Sequence, residues 1–229
     1  MSDSATITRD QLLTVVISTE LGGRTGDSSH FSYAELASST YSFGPMQFDV
    51  GNGGHEVKGF LKSNGFDDTD ITNLSQHGGL SRKELDALDI KLQAIPQTKM
   101  DQFTNQQLDA TIGRVGDIID DVRKQNPAAA DAMVKDAKLQ LGVADYANQF
   151  SPRYDAQLAS FLAGKMERGI QAGNPPTRDD MQNFIGTTPY GRDPANARGV
   201  AGREERFNEA MSELKLGPAS PAKKPTAIR

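Results

Sequence analysis

Glu20 is the first residue whose surroundings suit chemistry. It closes an apolar run, Leu12, Leu13, Val15, Val16 and Ile17 through Leu21, and stands just before Gly22-Gly23. A carboxylate so placed is half in and half out of a core. Desolvation disfavours its charged form, and the negative end of a helix dipole acts the same way; both effects suit a general acid. The plainer reading of the position alone is an ordinary exposed glutamate near a helix end. The segment Ser42-Phe43-Gly44-Pro45-Met46-Gln47-Phe48-Asp49 narrows the choice. Gly44-Pro45 permits a tight backbone, and Met46 suits inward packing. The Gln47 amide suits positioning a sugar, a water or the acid. Asp49 adds a second carboxylate 29 residues after Glu20.

A glutamate at the end of a buried helix, then a loop, then Ser-x-Gly-x-Met-Gln resembles the goose-type lysozymes and soluble lytic transglycosylases, in which a Glu precedes Gly-Leu-Met-Gln. Here the motif is Gly44-Pro45-Met46-Gln47, with Pro45 where Leu is usual, and Asp49 matches an Asp found two positions after the Gln in the goose-type branch. Asp145-Tyr146-Ala147-Asn148 approximates the Ala-Tyr-Asn motif of the transglycosylases, whereas Leu21 replaces the Ser that usually follows the Glu. An early Glu with a helical remainder also resembles phage endolysins. The resemblance implies a lysozyme-like helical domain that cleaves peptidoglycan, with Glu20 protonating the glycosidic oxygen between amino sugars. Inverting hydrolysis needs a second carboxylate to activate water. Asp49 is the first choice for it, with Asp27 and Glu35 behind. A transglycosylase instead uses one carboxyl group, and the sugar's own hydroxyl closes a 1,6-anhydro product. Ser42, Met46 and Gln47 are the substrate-binding candidates, with Tyr41 and Tyr146 as stacking residues; Tyr33 and Phe43 have the same aromatic character, and core packing is an equal reading for each ring.

Other residues suit chemistry less well. His30, His55 and His77 stand at no metal-ligand spacing and read as surface or loop residues. Gly51-Asn52-Gly53-Gly54 lacks the lysine of a phosphate loop, and Asp67-Asp68-Thr69-Asp70 lacks the Gly and terminal Glu of a calcium loop. No metal and no cofactor is expected. Arg192, Arg198, Arg203 and Arg206 suit either an anionic wall polymer or salt bridges with Glu204, Glu205 and Glu209.

The elements that must position Glu20 and the 42–49 segment read as mainly α. Thr8 with Gln11 forms a capping box for a helix over about 9–21, stopped by Gly22-Gly23. Residues 22–54 are rich in Gly, Ser, Thr and aromatics; they read as an ordered, site-forming loop region with room for a short helix near Tyr33–Ser38 and a short hairpin. Helices follow at about 55–63, 67–74, 81–94, 104–124, 126–148, 152–166, 177–185 and 195–214. Residues 1–7 read as a flexible start, 8–216 as a single lysozyme-like catalytic domain, and 217–229, with Pro218, Pro221 and Pro225, as a flexible tail.

Composition bounds the partners. The chain has 229 residues, no cysteine and a formal net charge of -5. Disulfides, thiol catalysis and Cys-based zinc sites are excluded. The cations form no basic stripe, so nucleic acid is not expected. No apolar run approaches a membrane span. Met1 to Asp10 carry no apolar stretch of a conventional secretory signal. The expectation is therefore a monomer made in the cytoplasm, without such a signal, that acts on peptidoglycan glycan strands in the bacterial envelope after release. Two other readings stand beside it: a non-enzymatic helical interaction or structural protein of a phage or secretion system, and a glycosidase acting on chitosan or chitin.

Overall fold

The computed structural model describes residues 5–34, 39–166, 171–214 and 216, with the backbone alone at 25 and 27. Thr8 opens the first helix as its sequence predicts. Its N–H donates to Gln11 Oε1 (2.8 Å), and the Gln11 N–H donates back to Thr8 Oγ1 (3.3 Å). This capping box starts α1, Arg9–Leu21. Gly22 and Gly23 end it with positive φ of 57° and 79°, the left-handed backbone that glycine adopts without a Cβ penalty.

A 3-10 helix, Thr25–Ser29, leads into three short strands: β1, Ser32–Tyr33; β2, Tyr41–Phe43; and β3, Phe48–Asp49. They form one antiparallel sheet in the order β1-β2-β3. Ser32 stands opposite Ser42 and Tyr33 opposite Tyr41; Ser42 stands opposite Asp49 and Phe43 opposite Phe48. A short hairpin is therefore present in the 22–54 region. The helix expected near Tyr33–Ser38 does not include Tyr33, which pairs in β1 with its ring 5.5 Å from that of Tyr41. Residues 35–38 lie outside the described residues.

The remaining α-helices are α2, Gly54–Ser63; α3, Asp68–Leu74; α4, Arg82–Gln93; α5, Gln97–Gln125; α6, Pro127–Lys135; α7, Ala137–Gln149; α8, Asp155–Leu162; α9, Arg178–Thr187; α10, Pro189–Arg192; and α11, Ala197–Glu213. The chain is mainly helical. Capping boxes start α3 (Asp67 with Asp70), α4 (Ser81 with Glu84) and α9 (Thr177 with Asp180).

Several boundaries differ from expectation; the helix expected over about 152–166 is a 3-10 turn, Pro152–Tyr154, followed by α8, which ends at Leu162, and α10, Pro189–Arg192, has no counterpart among the expected helices. The α5 helix begins at Gln97, not Thr104, because Phe103 in its second turn is held by rings distant in sequence. It stacks on Phe60 (4.3 Å) and meets Phe48 edge-on (4.8 Å). The single helix expected over about 126–148 is broken at Asp136, whose extended backbone lets its side chain cap α7 by accepting from the Leu139 N–H (2.9 Å). Buried Gln140 reinforces the break by donating to the Met133 and Val134 carbonyls at the end of α6.

The chain divides into two compact units. Leu12–Ala110 contains the end of α1, the sheet, α2 to α4 and the start of α5. Its core includes Phe31, Phe43, Phe48 and Phe103. Phe43 contacts Phe31 and Phe48 edge-on and lies parallel to Phe60. Such contacts each add about 0.5–1.5 kcal/mol beyond area burial. They seat the hairpin on α2 and the start of α5.

The other unit comprises Met1–Gln11 and Thr111–Arg229. Its helices bury Leu139, Leu141, Phe161, Phe184 and Phe207, and it holds ion pairs between Arg203 and Asp145, Arg178 and Glu204, and Arg114 and Asp155. Thr6 and Ile7, read as part of a flexible start, are held. The Thr6 N–H donates to Gln140 Oε1 (2.7 Å), and Ile7 is buried. The expected tail, 217–229, lies outside the described residues. No described helix is long and apolar enough to cross a membrane.

Candidate functional site

Glu20 lies in the last turn of α1 and is half-buried. The left-handed glycines after it turn the chain into the 3-10 helix Thr25–Ser29, which delivers His30 and Ser32 beside it. Glu20, Leu21, Arg24, His30, Ser32, Gln47 and Arg82 line one cleft of about 400 Å³, entirely within the Leu12–Ala110 unit. This volume falls in the range of small-molecule sites.

Gln47 reaches the cleft through the geometry of its own turn. Between β2 and β3 the chain passes through Gly44, Pro45, Met46 and Gln47. The Gln47 N–H donates to the Gly44 carbonyl (3.1 Å). Gly44 has φ 73°, and a Cβ there would come within 3.0 Å of the Phe48 ring, so both backbone and packing require glycine. Gln47 itself has φ 52°, the one positive φ at a non-glycine among the described residues. Left-handed backbone is uncommon outside glycine and is retained where surroundings over-determine it. Here the side chain supplies the restraint. Gln47 Nε2 donates to the Gly44 carbonyl (3.1 Å), and Oε1 accepts from Ser32 Oγ (2.7 Å). The Gly44 N–H donates to the Ser28 carbonyl (3.0 Å), tying the turn to the 3-10 helix.

Asp49 is not among the described residues that line the cleft. Its carboxylate organises the next turn. Oδ2 accepts from the Thr40 N–H (3.0 Å) and Asn52 Nδ2 (3.1 Å), while Oδ1 accepts from the Asn52 N–H (2.9 Å) and the Thr40 hydroxyl. Burial pushes this carboxyl up, but the hydrogen bonds from Thr40 and Asn52 together outweigh burial and hold it below its ordinary value. A carboxylate with its oxygens so occupied suits holding a loop better than accepting a proton.

The remaining predicted residues are dispersed. Met46 is buried, and Ser42 is half-buried on β2. Tyr41 is buried, and its hydroxyl accepts from the Leu80 N–H (2.9 Å). Tyr146 belongs to the other unit, buried on α7, stacked on Phe150 (4.6 Å) and edge-on to Phe184 (5.8 Å). Its phenol is pushed up to about 12, first by burial and then by the charge of Asp155. Asp27 lies in the 3-10 helix, where the backbone alone is described, and Glu35 lies outside the described residues. Among the described residues no cluster of three or more His, Asp or Glu has the arrangement of a metal site.

Sequence reasoning placed His30 among loop residues and did not single out Asp89. In the structure His30 lines the cleft, and its Nδ1 lies 3.0 Å from Oδ2 of Asp89, a buried carboxylate on α4. One signal was legible. Leu85, Leu88 and Leu92 mark the inward face of α4, and Asp89 falls on that same face. A carboxylate on an apolar face requires a partner. Comparison with protein-family models, with curated proteins and with solved structures finds no match to this chain.

Proposed function

We propose that this chain cleaves the glycan strands of bacterial peptidoglycan, with Glu20 as general acid at the glycosidic oxygen between amino sugars. The observation that carries the reading is the meeting of Glu20 and Gln47, 27 positions apart in sequence, in one cleft of ligand size. Gln47 is held there by an uncommon backbone conformation and two side-chain hydrogen bonds. Glu20 donates its proton to the leaving oxygen as the bond to the anomeric carbon breaks. The carbon is then taken by water, giving a reducing end, or by the sugar's own hydroxyl, giving a 1,6-anhydro end. Gln47 and Ser32 are the polar groups that orient the sugar, and Asp49 holds the turn behind Gln47. The site of action is the bacterial envelope, reached after release from the cytoplasm.

The test is turbidity loss of permeabilised bacteria together with mass spectrometry of the released muropeptides. Wild type releases fragments, and Glu20→Gln lowers the rate by about 10²–10⁴-fold, the usual contribution of a general acid. Anhydro ends identify transglycosylation and reducing ends identify hydrolysis. Equal lysis by both proteins removes Glu20 from this role. Release from chitin or chitosan alone reassigns the substrate. A stoichiometric protein complex with an unchanged muropeptide profile makes the chain an interaction protein.

A further inference from the structure

Asp89 is 5% exposed, on the inward face of α4. A buried carboxylate is retained where its oxygens are satisfied. Oδ1 accepts from the Phe31 N–H (2.7 Å), and Oδ2 faces His30 Nδ1 (3.0 Å). A carboxylate can only accept, so the imidazole proton is assigned to Nδ1. That tautomer leaves Nε2, on the other edge of the ring, as the unprotonated acceptor. The His30 side chain is 50% exposed and lines the same cleft as Glu20. The cleft therefore holds a carboxyl group from α1 and an imidazole whose Nδ1 is held from α4.

We infer that His30, oriented by Asp89, is the base that works with Glu20 in this cleft. The inference rests on the glycan-cleaving reading above. His30 Nε2 takes the proton of the attacking hydroxyl, from water or from the sugar, as that oxygen bonds to the anomeric carbon. The bond from that carbon to the glycosidic oxygen breaks, its electron pair stays on the oxygen, and the oxygen takes the proton of Glu20. His30 is left cationic and Glu20 anionic, and proton exchange with solvent resets both. Asp89 is a positioning residue that fixes the tautomer and stabilises the imidazolium. Glu20 on α1, Arg24 after it and Arg82 on the first turn of α4 are the charged groups that line the cleft with His30, and Asp89 faces its Nδ1.

The experiment measures muropeptide release from purified peptidoglycan against pH for the full chain and four variants. Wild-type kcat/KM should fall on the acid side as the imidazole becomes protonated. His30→Gln should lose about 10²–10⁴-fold and lack that acid limb. Asp89→Asn keeps an acceptor for Phe31 but turns an amide N–H toward the ring, and should lower kcat with little change in KM. Added imidazole should restore release to His30→Gly and none to Glu20→Gln, a rescue that a structural role of His30 would not allow. His30→Gln within about threefold of wild type, with its acid limb intact and Glu20→Gln inactive, overturns the role of His30 and leaves that of Glu20 standing. No release by folded wild type overturns both.

Discussion

Asp49 accepts four hydrogen bonds from two residues, and its value to the protein depends on its charge. Its folded-state pKa lies below the ordinary 3.8. The stability it contributes is therefore fully present above that value and is lost as pH falls through the lower folded-state value. Asp49→Asn should be less stable than wild type by about 1–3 kcal/mol at neutral pH, the scale of hydrogen bonds to a charged group. In urea unfolding series the gap should stay level down to about pH 5 and narrow below about pH 4. Gln47 gives the opposite kind of prediction. Gln47→Gly relieves a left-handed backbone at a residue with a side chain but gives up two side-chain hydrogen bonds, so the two effects offset and its thermal midpoint should stay within a few degrees of wild type. Its muropeptide release should fall, because the amide facing the cleft is gone. The residue scale was partly legible in sequence. Glu20 and Gln47 announced themselves through their neighbours, and the structure brings them together. The pairing of His30 with Asp89 spans 59 positions; the apolar face around Asp89 signals that it needs a partner, but nothing near it points to His30.

Several helix starts were readable where a capping side chain lies three residues from its partner, as for Thr8 with Gln11, Ser81 with Glu84 and Thr177 with Asp180. The start of α5 was not, because Phe103 is fixed by Phe48 and Phe60 from other elements. Thr104, expected from sequence at the start of this helix, lies inside it, 5% exposed, and its hydroxyl has no hydrogen-bond partner among the described residues. A buried hydroxyl without a partner is a liability to the fold. Thr104→Val should therefore raise stability by about 1 kcal/mol. The check is a higher urea midpoint with an unchanged slope, since no additional surface is exposed on unfolding. The break at Asp136 has a similar lesson. Asp136 carries no sign of a break in an otherwise helical sequence; its capping of α7 and the bonds from Gln140 to the preceding helix make one.

At the scale of the molecule, net charge and site charge oppose each other. The chain carries -5 overall, whereas Arg24 and Arg82 line the cleft beside Glu20. An acidic protein approaching an anionic wall is repelled at long range, and salt screens that repulsion before it screens contacts inside a cleft. The proposed peptidoglycan cleavage should therefore speed up as ionic strength rises from about 10 mM to about 150 mM, with the Debye length shrinking from about 30 Å to about 8 Å. Measured kcat/KM across that range checks the sign, and a steady fall means that the cleft cations govern approach. Composition and helical periodicity made the mainly α class legible. The two compact units were not, since their divisions fall after Gln11 and Ala110, inside the continuous helices α1 and α5.

The tie between Thr6 and Gln140 has a consequence in time. Their positions are 134 apart. During synthesis every residue that lines the cleft, Arg82 included, has been added to the chain before Gln140 exists. Thr6 is translated before the cleft residues yet meets its partner after them. A ribosome pausing between the codons for Thr111 and Leu139 would thus carry a nascent chain with all the residues of the cleft and Thr6 still unanchored.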